Sequence, residues 1–142
     1  MWMVRAGEKG FLIDEFLSEN VVCIGWEIGD LSNAENVESI KLKLRERFPE
    51  DNEAAIGNKA GKISTFRFEL NLGDYVISND SINKTYHIGK ILSDYYYDAN
   101  LISDIPGEYG DLRLVKWLCS VKWDDLSKLT KDSLGAVGTI FE

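Results

Sequence analysis

The chain has 142 residues, of which 44% are hydrophobic, including four Trp, six Tyr and six Phe. That suits one domain with a real core and excludes a disordered chain. Its net charge of −8 argues against a protein that coats duplex DNA through its phosphates, since such binding draws on clustered Lys and Arg.

Taken in chain order, residues 2–6 read as a first strand ended by Gly7. A short helix over residues 11–19 follows, with Phe11, Ile13, Phe16 and Leu17 as its apolar members. The continuous apolar run Val21-Val22-Cys23-Ile24 reads as a well-buried strand, ended by Gly25-Trp26. Ser32-Asn33-Ala34-Glu35 fits a capping box, in which hydroxyl and carboxylate satisfy the orphan backbone donors of a helix start. The helix that follows places Val37, Ile40, Leu44 and Phe48 on one face, and Pro49 helps close it. A second helical pattern runs from about Asn52 to Glu69 on Ile56, Ala60, Ile63 and Leu70. Gly57 and Gly61 weaken it by ~1 kcal/mol each relative to Ala.

Leu72-Gly73-Asp74 reads as a turn into the strand Tyr75–Ser78, and Asn79-Asp80-Ser81-Ile82-Asn83 as a hairpin loop. Thr85–Ile91 alternates as a strand, which Tyr95-Tyr96-Tyr97 continues or caps. Residues 98–111 form a loop rich in Asp, Gly and Pro. Leu112–Val121 is the longest strand, Trp123-Asp124-Asp125 turns out of it, and Leu134–Phe141 ends in a last short strand. About six strands with two to three helices inserted among them predict an α+β fold built on a partly closed, mixed barrel. An end directly after a strand suggests a module belonging to a longer protein.

Several chemistries lack their residues. His87 is the only histidine, so no Ser-His or Cys-His arrangement is supported; it sits in a strand with no obvious partner, and a buried or edge role is its default. Cys23 and Cys119 lie in apolar segments and read as two buried thiols of a reducing compartment. Zinc would have too few soft ligands, and no Gly-rich phosphate loop occurs. Asp30 and Asp124-Asp125 offer carboxylates, but without a Lys-bearing nuclease pattern beside a core strand. The reading is a binder with no catalytic residue, no metal and no cofactor. No apolar run approaches the roughly 20 residues of a membrane helix. The start Met-Trp-Met-Val-Arg turns polar, unlike a signal peptide. Both point to the cytoplasm and to no membrane partner.

The residue order resembles a known group. Trp2-Met-Val-Arg-Ala-Gly7, a short helix and then Ile24-Gly-Trp26 resemble the opening of EVE and YTH domains, members of the PUA-like superfamily. Asn58 through Gly73-Asp74-Tyr-Val-Ile-Ser78 resembles the EVE pattern of an Asn-bearing helix, a Gly-Asp turn and a buried strand. Gly89-Lys-Ile-Leu-Ser-Asp-Tyr95 resembles its next strand. Arg113-Leu-Val-Lys-Trp117 with Trp123-Asp-Asp-Leu resembles the strand and exit turn after it. The likeness covers nearly the whole chain and is nearest to N-terminal domains of restriction endonucleases and Mcr-type, GTP-driven modification-dependent restriction proteins.

That resemblance implies a pocket for one nucleotide flipped out of the stack, which senses a methyl group between aromatic walls. It implies modified, methylated DNA as partner and an effector domain in the same chain or complex. A modified-RNA module and a protein-interaction domain are the alternatives. Aromatic stacking supplies ~1–3 kcal/mol per base, and a buried methyl adds about 0.8 kcal/mol, so several walls are needed. Trp26 heads the candidates, followed by Tyr95, Tyr97 and Tyr109. Trp2, Trp117 and Trp123 read as structural. Asp30, Ser32 and Asn58 are candidates for the polar edge, although Ser32 also serves as the predicted cap. Tyr stands where the YTH cage has Trp, which leaves the modification open. Residues 36–70 hold seven basic and six acidic side chains, against nine basic and eighteen acidic elsewhere. Lys41, Arg45, Lys59, Lys62 and Arg67 are therefore the candidate phosphate contacts.

Overall fold

The computed structural model describes residues 1–7, 10–102, 109–125 and 140–141. It is α+β: β1 (Trp2–Val4), α1 (Ile13–Glu19), β2 (Val21–Ile24), α2 (Val37–Arg47), α3 (Glu53–Ser64), β3 (Tyr75–Asp80), β4 (Thr85–Ile91), β5 (Tyr96–Tyr97), β6 (Asp111–Lys122) and β7 (Ile140–Phe141). The strands form one sheet in the order β2-β6-β4-β3-β1-β7, with β5 paired to β6. β1 runs parallel to β3, and the other pairs are antiparallel. The sheet curls into a half-barrel.

Helical periodicity works as the sequence implies. Ile40 and Leu44 of α2 are buried, as are Ile56, Ala60 and Ile63 of α3, and the two helices pack on one another. With Phe16, Leu31 and Phe66 they fill the main core against β2, β4 and β6. A smaller cluster of Met3, Ile77 and Tyr86, flanked by Ile88 and Trp123, lies on residues of opposite phase in β3 and β4. The helix over residues 52–69 ends its α-geometry at Ser64 and continues as a π-helical turn, Thr65–Glu69. Such turns are rare and often mark functional positions.

Four expectations are corrected. The cap of α2 is Asn36, whose side chain accepts from the Ser39 N–H at 3.0 Å in a reciprocal box. Ser32 lies one turn too early, and its hydroxyl is taken by Asp30 at 2.5 Å. Tyr96 and Tyr97 do not extend β4 but form a separate strand on β6. The Ser93 side chain accepts the Leu114 N–H at 2.9 Å, which closes the β4 ladder before the tyrosines. Cys119 is exposed rather than buried, and only Cys23 fits the expectation of a buried thiol. A bulge causes this: Trp117 faces Gly89 and Cys119 faces Ile88, so Leu118 is an extra residue and the alternation inverts beyond it. Finally, His87 has a partner, for its Nε2 lies 3.4 Å from Oδ2 of the buried Asp80.

Candidate functional site

β2 ends at Ile24, opposite Asp111, and the segment from Gly25 to Asn36 leads into α2. Glu27 (φ 56°) and Gly29 (φ 77°) turn it through left-handed backbone. A non-glycine residue holds that conformation only when its surroundings fix it, and here they do. The Glu27 carboxylate meets Arg47 Nη2 at 2.6 Å. The Leu31 N–H donates to the Tyr95 hydroxyl at 2.8 Å. Arg67 donates to the Leu31 carbonyl from Nε at 3.0 Å and to the Ser32 carbonyl from Nη2 at 3.3 Å. Trp26 and Ile28 thus lie on an arch pinned on both sides, half-buried against the main core.

The four tryptophans then separate by what their indole N–H does. Trp2 donates to Asp74 Oδ2 at 3.1 Å, Trp117 to the Phe16 carbonyl at 2.8 Å and Trp123 to Asn79 Oδ1 at 3.1 Å. These three are committed to the fold, in agreement with their sequence context. Trp26 has no hydrogen bond and no stacked ring among the described residues. A tryptophan that is neither deep in the core nor tied by its N–H keeps a face and a donor for something else.

The tyrosines divide as well. Tyr95 accepts from Leu31 and donates to Asp111 Oδ1 at 2.5 Å, and its ring carries the Arg67 guanidinium at 4.8 Å from the centroid. Burial, with Asp111 adding to it, pushes this phenol up and keeps it neutral. Tyr95 is therefore an anchor and a shelf for Arg67. Tyr97 packs on Gly110, where an added Cβ would lie 2.6 Å from the ring. Tyr109 meets Phe11 edge-on at 5.9 Å, and Phe11 is 46% exposed. Sequence pattern marks Phe11 only as an apolar member of a helix. Phe68, 37% exposed and with the Arg67 guanidinium 4.9 Å from its ring centroid, carries no such sequence signal either.

The polar candidates are placed as follows. Asp30 Oδ1 accepts both the N–H and the hydroxyl of Ser32, the hydroxyl first, and this holds the carboxyl below its usual range. Asn58 is exposed on α3. Lys41 pairs with Glu38 at 3.5 Å, and Arg45 grips Glu53 through Nε and Nη2 at 3.2 and 3.0 Å. Lys59 pairs with Asp51 and sits over the Phe48 ring. Arg67 spends its fork on two carbonyls. Lys62 alone of the five has no ion pair or hydrogen bond among the described residues. The basic helices are thus largely neutralised by their own carboxylates.

Below the arch, Cys23 is buried, and burial, with Asp111 and Glu15, pushes its thiol up so that it stays protonated. Glu15 Oε2 is a buried oxygen without a hydrogen-bond partner among the described residues. No group of three or more His, Cys, Asp or Glu among the described residues is arranged to hold a metal ion, and none of their helices is long and apolar enough to cross a membrane.

A family model described as Domain of unknown function (DUF8426) matches residues 2–142. No curated protein and no solved structure matches the chain.

Proposed function

The chain belongs to the family described as Domain of unknown function (DUF8426), and we propose that it is a recognition module that holds one flipped-out, modified base against Trp26. The observation that carries this reading is the indole at position 26, half-buried on a pinned arch and left without a partner by the fold among the described residues. A preformed arch loses little entropy when a ligand binds. Stacking on the indole supplies ~1–3 kcal/mol, and the indole N–H can meet an acceptor on the base edge. The second oxygen of Asp30 can take an exocyclic amine, and Tyr109 with Phe11 supplies further apolar wall.

The half-barrel sheet with helices beside β2 is compatible with a PUA-like, EVE/YTH-like domain. On that reading the module is the specificity domain of a restriction system in the cytoplasm. It recognises methylated DNA, carries no catalysis of its own and delivers the DNA to an effector in the same chain or complex.

Titration of the chain with duplexes carrying N6-methyladenine, 5-methylcytosine or 5-hydroxymethylcytosine, against the unmodified duplex, tests this. One modified duplex should be preferred, and Trp26→Ala should weaken its binding by about one to two orders of magnitude with the fold intact. Equal binding to all duplexes refutes base capture. Loss of binding to every nucleic acid, with a protein partner retained, would make the chain an interaction domain.

A further inference from the structure

The face of the sheet turned away from the main core has a composition that the arch does not explain. Across β3, β4 and β6, Tyr75 pairs with Lys90 and Lys90 pairs with Lys116. The next residues in each strand, Val76, Ile91 and Val115, point into the main core. Beyond them Leu92 donates its N–H to the Leu114 carbonyl at 2.9 Å. Alternation therefore puts Tyr75, Lys90, Lys116, Leu92 and Leu114 on one outer face. All five are exposed, Tyr75 at 47%, Leu92 at 52% and Leu114 at 40%.

Two features of this patch work against the isolated fold. Like charges directly opposite on neighbouring strands destabilise a sheet, yet Lys90 and Lys116 face each other in register. Neither ammonium has a carboxylate partner among the described residues, although the chain carries 24 acidic side chains against 16 basic. The basic residues of α2 and α3 show that this protein readily supplies carboxylates where it neutralises cations. A paired, unneutralised cation site calls for an anion from outside. Beside it, the Tyr75 ring lies exposed with Lys90 Nζ at 5.7 Å from its centroid. An exposed ring next to two cations without a carboxylate partner among the described residues matches a ligand that alternates flat rings with phosphates.

We infer that this outer face of β3, β4 and β6 is a contact surface for a single strand of nucleic acid, with Tyr75 stacking a base and Lys90 and Lys116 meeting its phosphates. The inference goes beyond the base-capture reading, because this face lies on the side of the sheet away from the main core against which the Trp26 arch packs. It places phosphate contacts on the sheet, whereas most basic side chains of residues 41–67 already have carboxylate or carbonyl partners.

The test uses the full chain and a labelled oligothymidylate, which carries no modification, followed by fluorescence anisotropy over a salt series. Wild-type protein should bind with a salt-dependent Kd. Lys90→Gln with Lys116→Gln should weaken binding and flatten the plot of log Kd against log salt by about 1.4, roughly 0.7 for each single-strand phosphate that the variant leaves unneutralised. Tyr75→Ala should weaken binding about tenfold with the salt slope unchanged. Circular dichroism confirms folding of each variant, and Lys90→Arg with Lys116→Arg should restore the slope. An unchanged Kd and slope in the Gln variant overturns the inference, as does absence of oligothymidylate binding. Equal binding of polyglutamate also overturns it, making the surface one for acidic peptides. Failure of the base-capture reading looks different: modified and unmodified duplexes would bind alike while the Gln variant still flattened the slope.

Discussion

The Tyr95 hydroxyl donates to Asp111 Oδ1 at 2.5 Å and in the same position accepts the Leu31 N–H at 2.8 Å. One oxygen thus joins the start of β6, the segment before β5 and the arch that carries Trp26. Asp111 is 1% exposed, so its carboxylate depends on donors of this kind. Tyr95→Phe removes the bridge and keeps the ring under Arg67. The expected cost is about 1–3 kcal/mol, the range for leaving buried polar groups short of a partner. Urea unfolding of the two proteins measures it. The same burial raises the phenol, so Tyr95 favours the fold below the ordinary tyrosine range and ceases to do so as pH rises toward its raised value. In the folded protein one tyrosine should stay silent in an alkaline absorbance titration until the chain unfolds.

Acid should find Asp80. Burial works to raise this carboxyl, but the Asn83 side chain and backbone, and then His87, more than offset it and hold it below its usual range. A lowered carboxyl contributes stability above the ordinary aspartate range of about 4, and that stability is lost as pH falls through the lowered value. Asp80→Asn should cost about 1–2 kcal/mol near neutrality and flatten the acid side of the stability profile. Urea midpoints measured on both proteins over descending pH decide this; parallel profiles would count against it.

Gly89 sits where the bulge on β6 leaves no room. An added Cβ would come 2.4 Å from Val115 Cγ1, 2.9 Å from Trp117 Cε3 and 3.0 Å from the Lys116 carbonyl. Two of these neighbours are core-side side chains, and the third is backbone of the paired strand. Gly89→Ala should therefore destabilise by about 1–3 kcal/mol, as overpacking does. Gly57→Ala, where nothing lies within 4 Å, should be neutral or gain up to ~1 kcal/mol of helix propensity. Thermal unfolding of the pair provides the comparison.

What the sequence made legible is what short-range periodicity encodes. The faces of α2 and α3 and the β3–β4 hairpin follow from spacing and turn residues within a few positions. The misread features all depend on competition between distant or neighbouring groups. Asp30 captures the Ser32 hydroxyl that was to cap a helix. Ser93 takes the Leu114 N–H that would have extended β4. One extra residue, Leu118, turns Cys119 outward. At the candidate site, the place of Trp26 just past a fully buried strand was legible, because the run Val21–Ile24 is wholly apolar. Arg67 reads from the sequence as a phosphate contact on a helix face, and nothing local signals that its fork grips carbonyls of Leu31 and Ser32. Glu53 approaches Arg45 from the next helix, eight residues on, so its neutralising effect has no helical-spacing signature.

Arg113 carries the shape of the π-turn. It is 2% exposed, and it donates to the carbonyls of Phe66 at 2.9 Å, Arg67 at 3.0 Å and Ser93 at 3.4 Å. A helix end leaves carbonyls without intrahelical donors, and this guanidinium supplies them. Lysine has no planar fork to reach two carbonyls at once. Arg113→Lys should cost about 2–3 kcal/mol, on the scale of hydrogen bonds from a charged group. It should also loosen Arg67. In hydrogen exchange the Leu70 amide, bonded to the Thr65 carbonyl at 3.2 Å, should lose protection more than amides of α2. Uniform loss across both helices would show that Arg113 acts on global stability alone.

The tryptophans allow the site itself to be separated from the scaffold. Trp2, Trp117 and Trp123 each satisfy a side-chain or backbone acceptor through the indole N–H. Replacement by Phe keeps most of the apolar body and removes that donor, so each should lower stability by about 0.5–1.5 kcal/mol. Trp26 makes no such bond among the described residues, and Trp26→Phe should change stability by less than about 0.5 kcal/mol. In fluorescence the same residue, partly buried and without a hydrogen-bond partner among the described residues, should be open to acrylamide in the free protein. Its signal should be protected when a preferred modified duplex is added. A Trp26→Phe protein that is as destabilised as the other three would place this indole in the scaffold and remove the reason for assigning it a ligand.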